Sequence, residues 1–243
     1  MRLHVEPDPS GLACRAANIV AAAISALPGI VLALPTGRTP LGMYDELVRM
    51  HRLQSLDFSR VRIFSLDEYR GLDIRDARSF HSYLWTHLLE HVNVSRDNVH
   101  LPSPTADDAA CQAYEDEIRA AGGIDLLVAG VGSNGHIAFN EPGSALDSRT
   151  RIVDLANSTL DHMRPVFQPD PPPHQAVTIG IATILEARRI LLLAAGEAKR
   201  EALQEALAGP VSVANPVSAL RLHSDVTVVA DRAAAFPQKD SRI

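Results

Sequence analysis

The chain has 243 residues, of which 46% are hydrophobic, and a formal net charge of −6. This size and composition predict a single α/β domain over residues 1–243, because no linker-like stretch divides the chain. The negative charge argues against nucleic acid or an anionic membrane as a partner, so an anionic substrate needs local cations. The first residues, 1–9, lack the apolar core of a signal peptide, and no apolar run is long enough to span a membrane.

The two cysteines, Cys14 and Cys111, show neither metal-ligand spacing nor a disulfide framework. This usage is typical of the reducing cytoplasm, where we expect the protein to reside. Because Cys14 lies in an alanine-rich helical stretch, we expect it to be a small core residue.

The first strand-to-helix connection is a candidate anion site. The pattern predicts a helix at 10–27 with Ser10 as its N-cap, a buried strand at 29–35, the turn TGRTP at 36–40 and a helix at 41–51. Such a turn directs backbone N–H groups and the positive end of a helix dipole at an anion. The spacing and the lysine of a P-loop are missing, so an ordinary strand-to-helix turn is the alternative.

A second buried strand, at 61–66, leads directly into Asp67 and Glu68. A carboxylate at the end of a core strand is a candidate general base, and a carboxylate that caps the following turn is the alternative. Alternation along an extended segment turns Glu68 to the opposite side from Asp67.

Three histidines, His81, His87 and His91, lie in a predicted helix at 79–92. His87 and His91 are one helical turn apart, which is compatible with a metal site, but no acidic or cysteine ligand joins them in the sequence. We therefore interpret them as a solvated helix face and expect no metal.

The central stretch of the chain is an apolar strand at 124–129 followed by the glycine loop GVGSNGHIAFNEP at 130–142. The glycines allow a tight turn and a close approach to a ligand. His136 and Glu141 follow the carboxyl end of the strand, which is where open α/β sheets bind ligands. The alternative is that His136 caps a helix and Glu141 faces water.

Downstream, the segment 154–173 holds a predicted helix at 157–167 and a proline-rich end. We interpret it as a flap over the site; a plain surface loop is the alternative. Lys199 lies near the start of a helix predicted at 198–208, where a solvated lysine is the alternative to an anion contact. The remaining predicted elements are an edge strand at 100–102, helices at 107–121, 182–187 and 216–222, and strands at 176–179, 189–195 and 225–230.

Strands that alternate with helices predict one doubly wound, mostly parallel sheet with helices on both faces. Neither glycine loop has the G-x-G-x-x-G pattern followed by a ribose-binding acid, so the sequence predicts no dinucleotide site and requires no cofactor.

Three motifs carry a resemblance to a known family. The loop at 130–142 resembles the signature of the glucosamine-6-phosphate deaminases, as do LDEYRGL at 66–72 and TGRTP at 36–40. The related 6-phosphogluconolactonases share the glycines and the histidine but lack the FNEP ending. The resemblance extends over about residues 29–231. It implies a modified Rossmann-type architecture, shared with ribose-5-phosphate isomerase and the lactonases, and conversion of glucosamine 6-phosphate to fructose 6-phosphate and ammonia.

The resemblance also implies roles for individual residues. Asp67 would be the proton-shuttling base, and His136 would open the sugar ring with the support of Glu141 and Asn134. The groups implied to hold the substrate phosphate are Thr36, Gly37, Arg38, Thr39, Lys199 and Arg164. Two positions depart from many members: Arg38 replaces a glycine, and Asn134 replaces an aspartate. We expect Asn134 to accept a hydrogen bond from the imidazole without adding charge.

Three alternative functions stay open: a galactosamine-6-phosphate deaminase, a 6-phosphogluconolactonase, and a sugar-phosphate sensor without turnover. Some members of the family are hexamers that N-acetylglucosamine 6-phosphate activates through a serine, an arginine and a lysine after the catalytic glutamate and through a longer C-terminal tail. Here Ser144 and Arg151 match, but Val153 takes the place of the lysine, and the chain ends at Ile243. We therefore expect a monomer or small homo-oligomer that does not respond to this effector.

Overall fold

The computed structural model describes residues 1–236. The expectation that the chain has no longer C-terminal tail concerns its last residues, which lie outside the described residues. The strands are β1 (Arg2–Glu6), β2 (Val31–Leu34), β3 (Arg62–Ser65), β4 (Asp67–Tyr69), β5 (Val99–His100), β6 (Leu126–Gly130), β7 (Arg151–Asp154), β8 (Gln175–Thr178), β9 (Ile190–Ala194) and β10 (Val226–Asp231). The α-helices are α1 (Pro9–Ala26), α2 (Leu41–Gln54), α3 (Phe80–His87), α4 (Asp108–Ala120), α5 (Asn157–Phe167), α6 (Ile181–Leu185), α7 (Arg200–Ala208) and α8 (Arg232–Ala235).

Seven parallel strands form the central sheet, in the order β1-β10-β9-β6-β2-β3-β5. The chain builds outwards from β2 through β3 to β5, then returns to the other side of β2 with β6. This reversal between β2 and β6 creates a crevice at the carboxyl ends of the strands. The doubly wound, parallel sheet predicted from the sequence is confirmed.

Each face of this sheet is covered by its own helices, and alternation along a strand shows why. In β9, Leu191 and Leu193 pack into one apolar cluster with α1, α2 and α3. Ile190 and Leu192 point the other way, into a cluster with α4, α6 and α7. A strand buried on both faces needs a continuous apolar sequence, and β9 has one.

A second sheet was not predicted. Strands β4, β8 and β7 form an antiparallel three-stranded sheet, and the segment predicted as a strand at 176–179 belongs to it rather than to the parallel sheet. Only one residue, Leu66, separates β3 from β4, so the chain leaves the parallel sheet just as it delivers Asp67. Three-residue strands carry too few positions for alternation to reveal them.

Two predictions at the N-terminus were wrong. Asp8, rather than Ser10, is the N-cap of α1, because its carboxylate accepts a hydrogen bond of 2.9 Å from the Gly11 N–H and Pro9 occupies the first turn. Cys14 is exposed, since it lies opposite the helix face that α1 buries. Strand β1 was missed because its residues are exposed or half-buried at the edge of the sheet.

Helix α5 matches its prediction, 157–167, residue for residue. The helix predicted at 79–92 is divided into α3 and a 3₁₀ turn, Leu89–His91, and the helix predicted at 216–222 is a 3₁₀ segment. Among the described residues, no helix is long and apolar enough to cross a membrane.

Candidate active site

The candidate site lies where four neighbouring parallel strands end. In the sheet, β9, β6, β2 and β3 are adjacent, and their carboxyl ends lead to Lys199, to the glycine loop, to the TGRTP turn and to Asp67 respectively. Residues that are far apart in the sequence therefore meet at one edge of the sheet.

The glycine loop is shaped by close packing around its histidine. A side chain at Gly132 would place its Cβ 2.4 Å from the His136 ring. Gly135 has φ +84°, and a Cβ there would lie 2.1 Å from Asn215 Oδ1. Both positions therefore require glycine, and the loop holds the imidazole directly against its own backbone.

His136 and Glu141 form the acid–base pair of the loop. The imidazole Nδ1 lies 3.3 Å from Glu141 Oε2, without the alignment of a regular hydrogen bond. Burial alone raises the pKa of Glu141. The nearby His136 and the hydrogen bonds from Thr159 and Asn134 outweigh this effect, so the pKa of Glu141 is lowered. Glu141 is thus held as a carboxylate that can stabilise an imidazolium.

Asn134 contacts the glutamate, which corrects the expectation that it would accept a hydrogen bond from the imidazole. Its amide nitrogen donates to Glu141 Oε2 at 2.8 Å, and its oxygen accepts the backbone N–H of His136 at 3.1 Å. An aspartate at this position has no donor for the first contact. The amide therefore supports the carboxylate in a way that aspartate would not.

A second set of contacts ties the loop to the small sheet. Buried Asn140 donates to the carbonyls of Ile137 at 3.0 Å and Ile179 at 2.8 Å. The Phe139 N–H donates to Thr178 Oγ1 at 3.1 Å, and Thr178 is paired directly opposite Asp67 between β8 and β4. The loop that carries His136 is thereby fixed beside the strand that carries Asp67.

Asp67 is a buried carboxyl group without a compensating partner. It is 6% exposed, and its Oδ1 makes no hydrogen bond in the described structure. Burial, together with the nearby charge of Glu68, raises the pKa of Asp67 to about 8. A carboxylate with a buried, unpaired oxygen is costly to keep charged, and such groups are concentrated at functional sites.

Glu68 has a structural role that the sequence reasoning missed. Its carboxylate accepts backbone N–H groups of Tyr69 at 2.8 Å, Phe80 at 3.0 Å and His81 at 2.8 Å. Glu68 thus satisfies orphan donors in the first turn of α3 and points away from Asp67, as alternation predicted. Burial raises the pKa of Glu68, and the three N–H donors oppose that effect.

The TGRTP turn lies between β2 and α2, as predicted. Gly37 has φ +98°, and its carbonyl accepts a hydrogen bond of 2.6 Å from the hydroxyl of Tyr83 on α3. Thr36 and Thr39 are half-buried, while Arg38 is exposed. Arg38, Thr39 and Ala195 line a 480 Å³ cleft, so the turn adjoins the end of β9.

The two remaining cations differ in position. Lys199 ends a 3₁₀ turn just before α7; it is half-buried, and burial lowers its pKa. Arg164 lies on α5 with a side chain that is 68% exposed, and its Nε is 3.2 Å from Asp161. The structure brings Lys199 to the sheet edge of the site, whereas Arg164 faces solvent.

Three further residues belong to this environment and lie outside all of the motifs. Thr159 donates its hydroxyl to Glu141 Oε1, Thr178 Oγ1 accepts the Phe139 N–H, and Asn215 lies against Gly135. Their sequence distances from the motifs hide these contacts, and only the folded chain shows them. No group of three or more His, Cys, Asp or Glu side chains arranged to hold a metal occurs within residues 1–236.

Acid–base groups gathered in the crevice of a doubly wound sheet define an α/β enzyme. The chain belongs to the family described as glucosamine-6-phosphate isomerases/6-phosphogluconolactonase, whose model matches residues 8–229. This confirms the resemblance on which the site residues were selected.

The relatives cover nearly the whole chain. Glucosamine-6-phosphate deaminase 2 of Bacillus subtilis (strain 168) is 44% identical over 246 residues, which is 99% of both chains. The solved structure of a monomeric glucosamine-6-phosphate deaminase matches with a TM-score of 0.94 at 40% identity, covering 96% of this chain and 98% of the other. The 6-phosphogluconolactonase of Trypanosoma brucei shares the fold, with a TM-score of 0.76 at 22% identity over 96% of this chain and 97% of its own.

Proposed function

We propose that this enzyme converts glucosamine 6-phosphate and water to fructose 6-phosphate and ammonia. The observation that carries the proposal is Asp67, a buried carboxyl group with an unpaired oxygen at the end of a core strand, fixed beside the loop of His136. The full-length similarity to glucosamine-6-phosphate deaminases supports the choice of substrate.

The reaction first requires the sugar ring to open. A proton must leave the anomeric hydroxyl, and another must reach the ring oxygen. An imidazole can accept and donate protons near neutral pH, which suits His136. The carboxylate of Glu141, 3.3 Å from Nδ1, stabilises the imidazolium during this exchange.

The next step transfers a proton from C2 to C1, and Asp67 is the base proposed for it. In its ionised form Asp67 takes the C2 proton of the open-chain amino sugar and returns it to C1, which leaves an imine at C2. Water adds to this imine and releases ammonia, so the atoms balance without a cofactor. Such acid–base catalysis commonly contributes roughly 10²–10⁴-fold.

The substrate phosphate anchors the sugar in this scheme. Backbone N–H groups of the turn at 36–40, with the side chains of Thr36 and Thr39, form the proposed cradle, and Lys199 supplies a cation. Arg38 and Arg164 join the proposed phosphate contacts only by side-chain or flap movement, since both are exposed. Binding energy from the phosphate is thereby used to place C2 at Asp67.

Two other sugar phosphates are alternative substrates. A galactosamine 6-phosphate differs only at C4 and would use the same groups. Lactone hydrolysis by a 6-phosphogluconolactonase needs no C2 proton transfer, and it leaves the buried Asp67 and the FNEP ending of the loop without a role. A sensor without turnover has no need for a base held in the site.

We propose that the segment 154–173 is a flap over the site. We also propose that residues 1–243 act as a single domain and that the protein is located in the cytoplasm. We also infer a monomer or small homo-oligomer with a small-molecule substrate and no nucleic-acid or membrane partner; the similarity to a monomeric deaminase supports this inference.

Replacement of the base tests the proposal directly. Asp67→Asn keeps the shape of the side chain and removes its basicity, so ammonia release should be lost while product still binds. In deuterated solvent, the wild type should exchange the C2 proton of glucosamine 6-phosphate and the variant should not. A variant that exchanges at the wild-type rate would assign the proton transfer to another group.

A further inference from the structure

Thr159 joins the proposed flap to the acid–base pair. It lies in the first turn of α5, is 8% exposed, and donates its hydroxyl to Oε1 of Glu141. No motif of the sequence contains it, and it is 18 residues from its partner.

This contact completes the set of donors around the glutamate. Oε1 is bound by Thr159, whereas Oε2 accepts the Asn134 amide at 2.8 Å and lies 3.3 Å from His136 Nδ1. A rotation of the carboxylate breaks the contacts on both oxygens at once. The orientation in which Oε2 faces the imidazole is therefore set from two sides, by the glycine loop and by α5.

The same helix makes other contacts that depend on its position. Ser158 Oγ is 3.4 Å from the Asn134 amide nitrogen. Leu160, Met163 and Phe167 of α5 pack into one cluster with Phe139, which lies between His136 and Glu141 in the loop. A displacement of α5 would therefore remove the Thr159 hydrogen bond and the packing on the loop together.

We propose that Thr159 is a positioning residue that fixes the Glu141 carboxylate toward His136, so that the acid–base pair is complete only when α5 is docked. This inference rests on the proposed deaminase function. It adds a reason for the flap to matter to the chemistry, beyond covering the substrate: the flap supplies one of the two anchors of the carboxylate.

The test compares Thr159→Val with Thr159→Ser. Valine keeps the approximate shape and removes the hydroxyl, whereas serine keeps the hydroxyl. Loss of a hydrogen bond to a charged group should lower kcat for ammonia release about tenfold, with a smaller change in KM. Thr159→Ser should restore kcat.

The titration of Glu141 separates positioning from a general loss of structure. His136 is the titratable group whose charge acts on Glu141, and the Thr159 and Asn134 donors are neutral. Removal of a donor that lowers the pKa of Glu141 raises this pKa, so the titration of the Glu141 carboxyl group, followed by infrared or NMR spectroscopy, should move to higher pH in Thr159→Val. A defect that affects folding alone reduces the amount of active enzyme without moving this titration.

Thr159→Ala provides a second deletion of the hydroxyl if the buried valine disturbs folding. Glu141→Gln supplies a thermodynamic cycle: if Thr159 acts through Glu141, then Thr159→Val should have little further effect in the Glu141→Gln background. Three results would each overturn the inference. The first is a wild-type kcat and a wild-type titration of Glu141 in both Thr159→Val and Thr159→Ala, and the second is a loss of kcat that Thr159→Ser does not restore. The third is full additivity of the effects of Thr159→Val and Glu141→Gln on kcat. A wild type that releases no ammonia would refute the proposed function and the positioning role with it, whereas an active wild type matched by Thr159→Val would refute the inference alone.

Discussion

Asp67 ties the stability of the fold to the chemistry of the site. Burial and the charge of Glu68 raise the pKa of Asp67 from 3.8 to about 8. Between these values the unfolded chain releases the proton and the folded chain keeps it, so the free energy of unfolding falls as pH rises through this window. Above about pH 8 the folded protein carries an unpaired buried carboxylate.

We therefore expect Asp67→Asn to stabilise the protein in a pH-dependent way. The asparagine stays neutral, so the gain in free energy of unfolding should be small near pH 4 and should grow to a few kcal/mol above pH 8. Urea unfolding of both proteins at several pH values measures this difference. An equal difference at all pH values would contradict the raised pKa.

Lys199 is the cation that we expect to bind the phosphate. Lys199→Ala should raise KM by roughly tenfold to hundredfold and change kcat much less, because it removes a charge-assisted contact made equally in the ground and transition states. Arg60→Ala is the matched control, since Arg60 is exposed just before the amino end of β3, at the opposite edge of the sheet from the site. An unchanged KM in Lys199→Ala would place Lys199 outside the site.

At the scale of elements, Glu68 connects β4 to the start of α3. Glu68→Gln should lower the free energy of unfolding by about 1–3 kcal/mol, because the amide is a weaker acceptor for the three N–H groups and brings its own donor toward them. It should also lower the pKa of Asp67 by removing the neighbouring charge, which moves the acid limb of kcat/KM to lower pH.

Asp107→Asn is a matched control for this effect. Asp107 caps α4 by accepting the Ala110 N–H at 2.8 Å, and it is exposed. Its replacement alters a helix cap without altering the charge beside Asp67, so the acid limb should stay in place. A limb that moves equally in both variants, or in neither, would exclude Glu68 as the cause.

The elements also show how far sequence reasoning extends. Strands β2, β6 and β9 were predicted because burial on both faces demands continuous apolar runs, and these runs are visible in the sequence. Strand β4 and its pairing with β8 were not predicted, because three residues are too few to show an alternation of apolar and polar side chains.

The residues of the site also fall into those that the sequence predicted and those that it did not. Asp67, His136 and Glu141 were selected because they follow core strands within recognisable motifs. Thr159 was not, because a hydrogen bond across 18 residues leaves no local pattern. The donor role of Asn134 was also not predicted, since the sequence does not say which neighbour its amide faces.

At the scale of the whole molecule, the structure bears on regulation. Arg151, which matches an effector-binding position of some family members, is engaged within the protein. Its guanidinium donates to Asn140 Oδ1 at 2.9 Å and to Ser144 Oγ at 3.2 Å. Val153 takes the place of the lysine and contributes no charge.

We therefore expect hyperbolic kinetics and no response to N-acetylglucosamine 6-phosphate. Velocity curves measured with and without this compound should superimpose, and sedimentation at assay concentration should show a monomer or small homo-oligomer. Sigmoidal curves that become hyperbolic on its addition would show that the charge at position 153 is dispensable.

The central claim is that this chain deaminates an amino-sugar phosphate through proton transfer at C2. The most direct measurement is incubation of the wild-type protein with glucosamine 6-phosphate, galactosamine 6-phosphate and 6-phosphogluconolactone, while the release of ammonia and of acid is followed. We expect rapid ammonia release from glucosamine 6-phosphate, with fructose 6-phosphate as the product. Rapid acid release from the lactone with ammonia from neither amino sugar would contradict the claim.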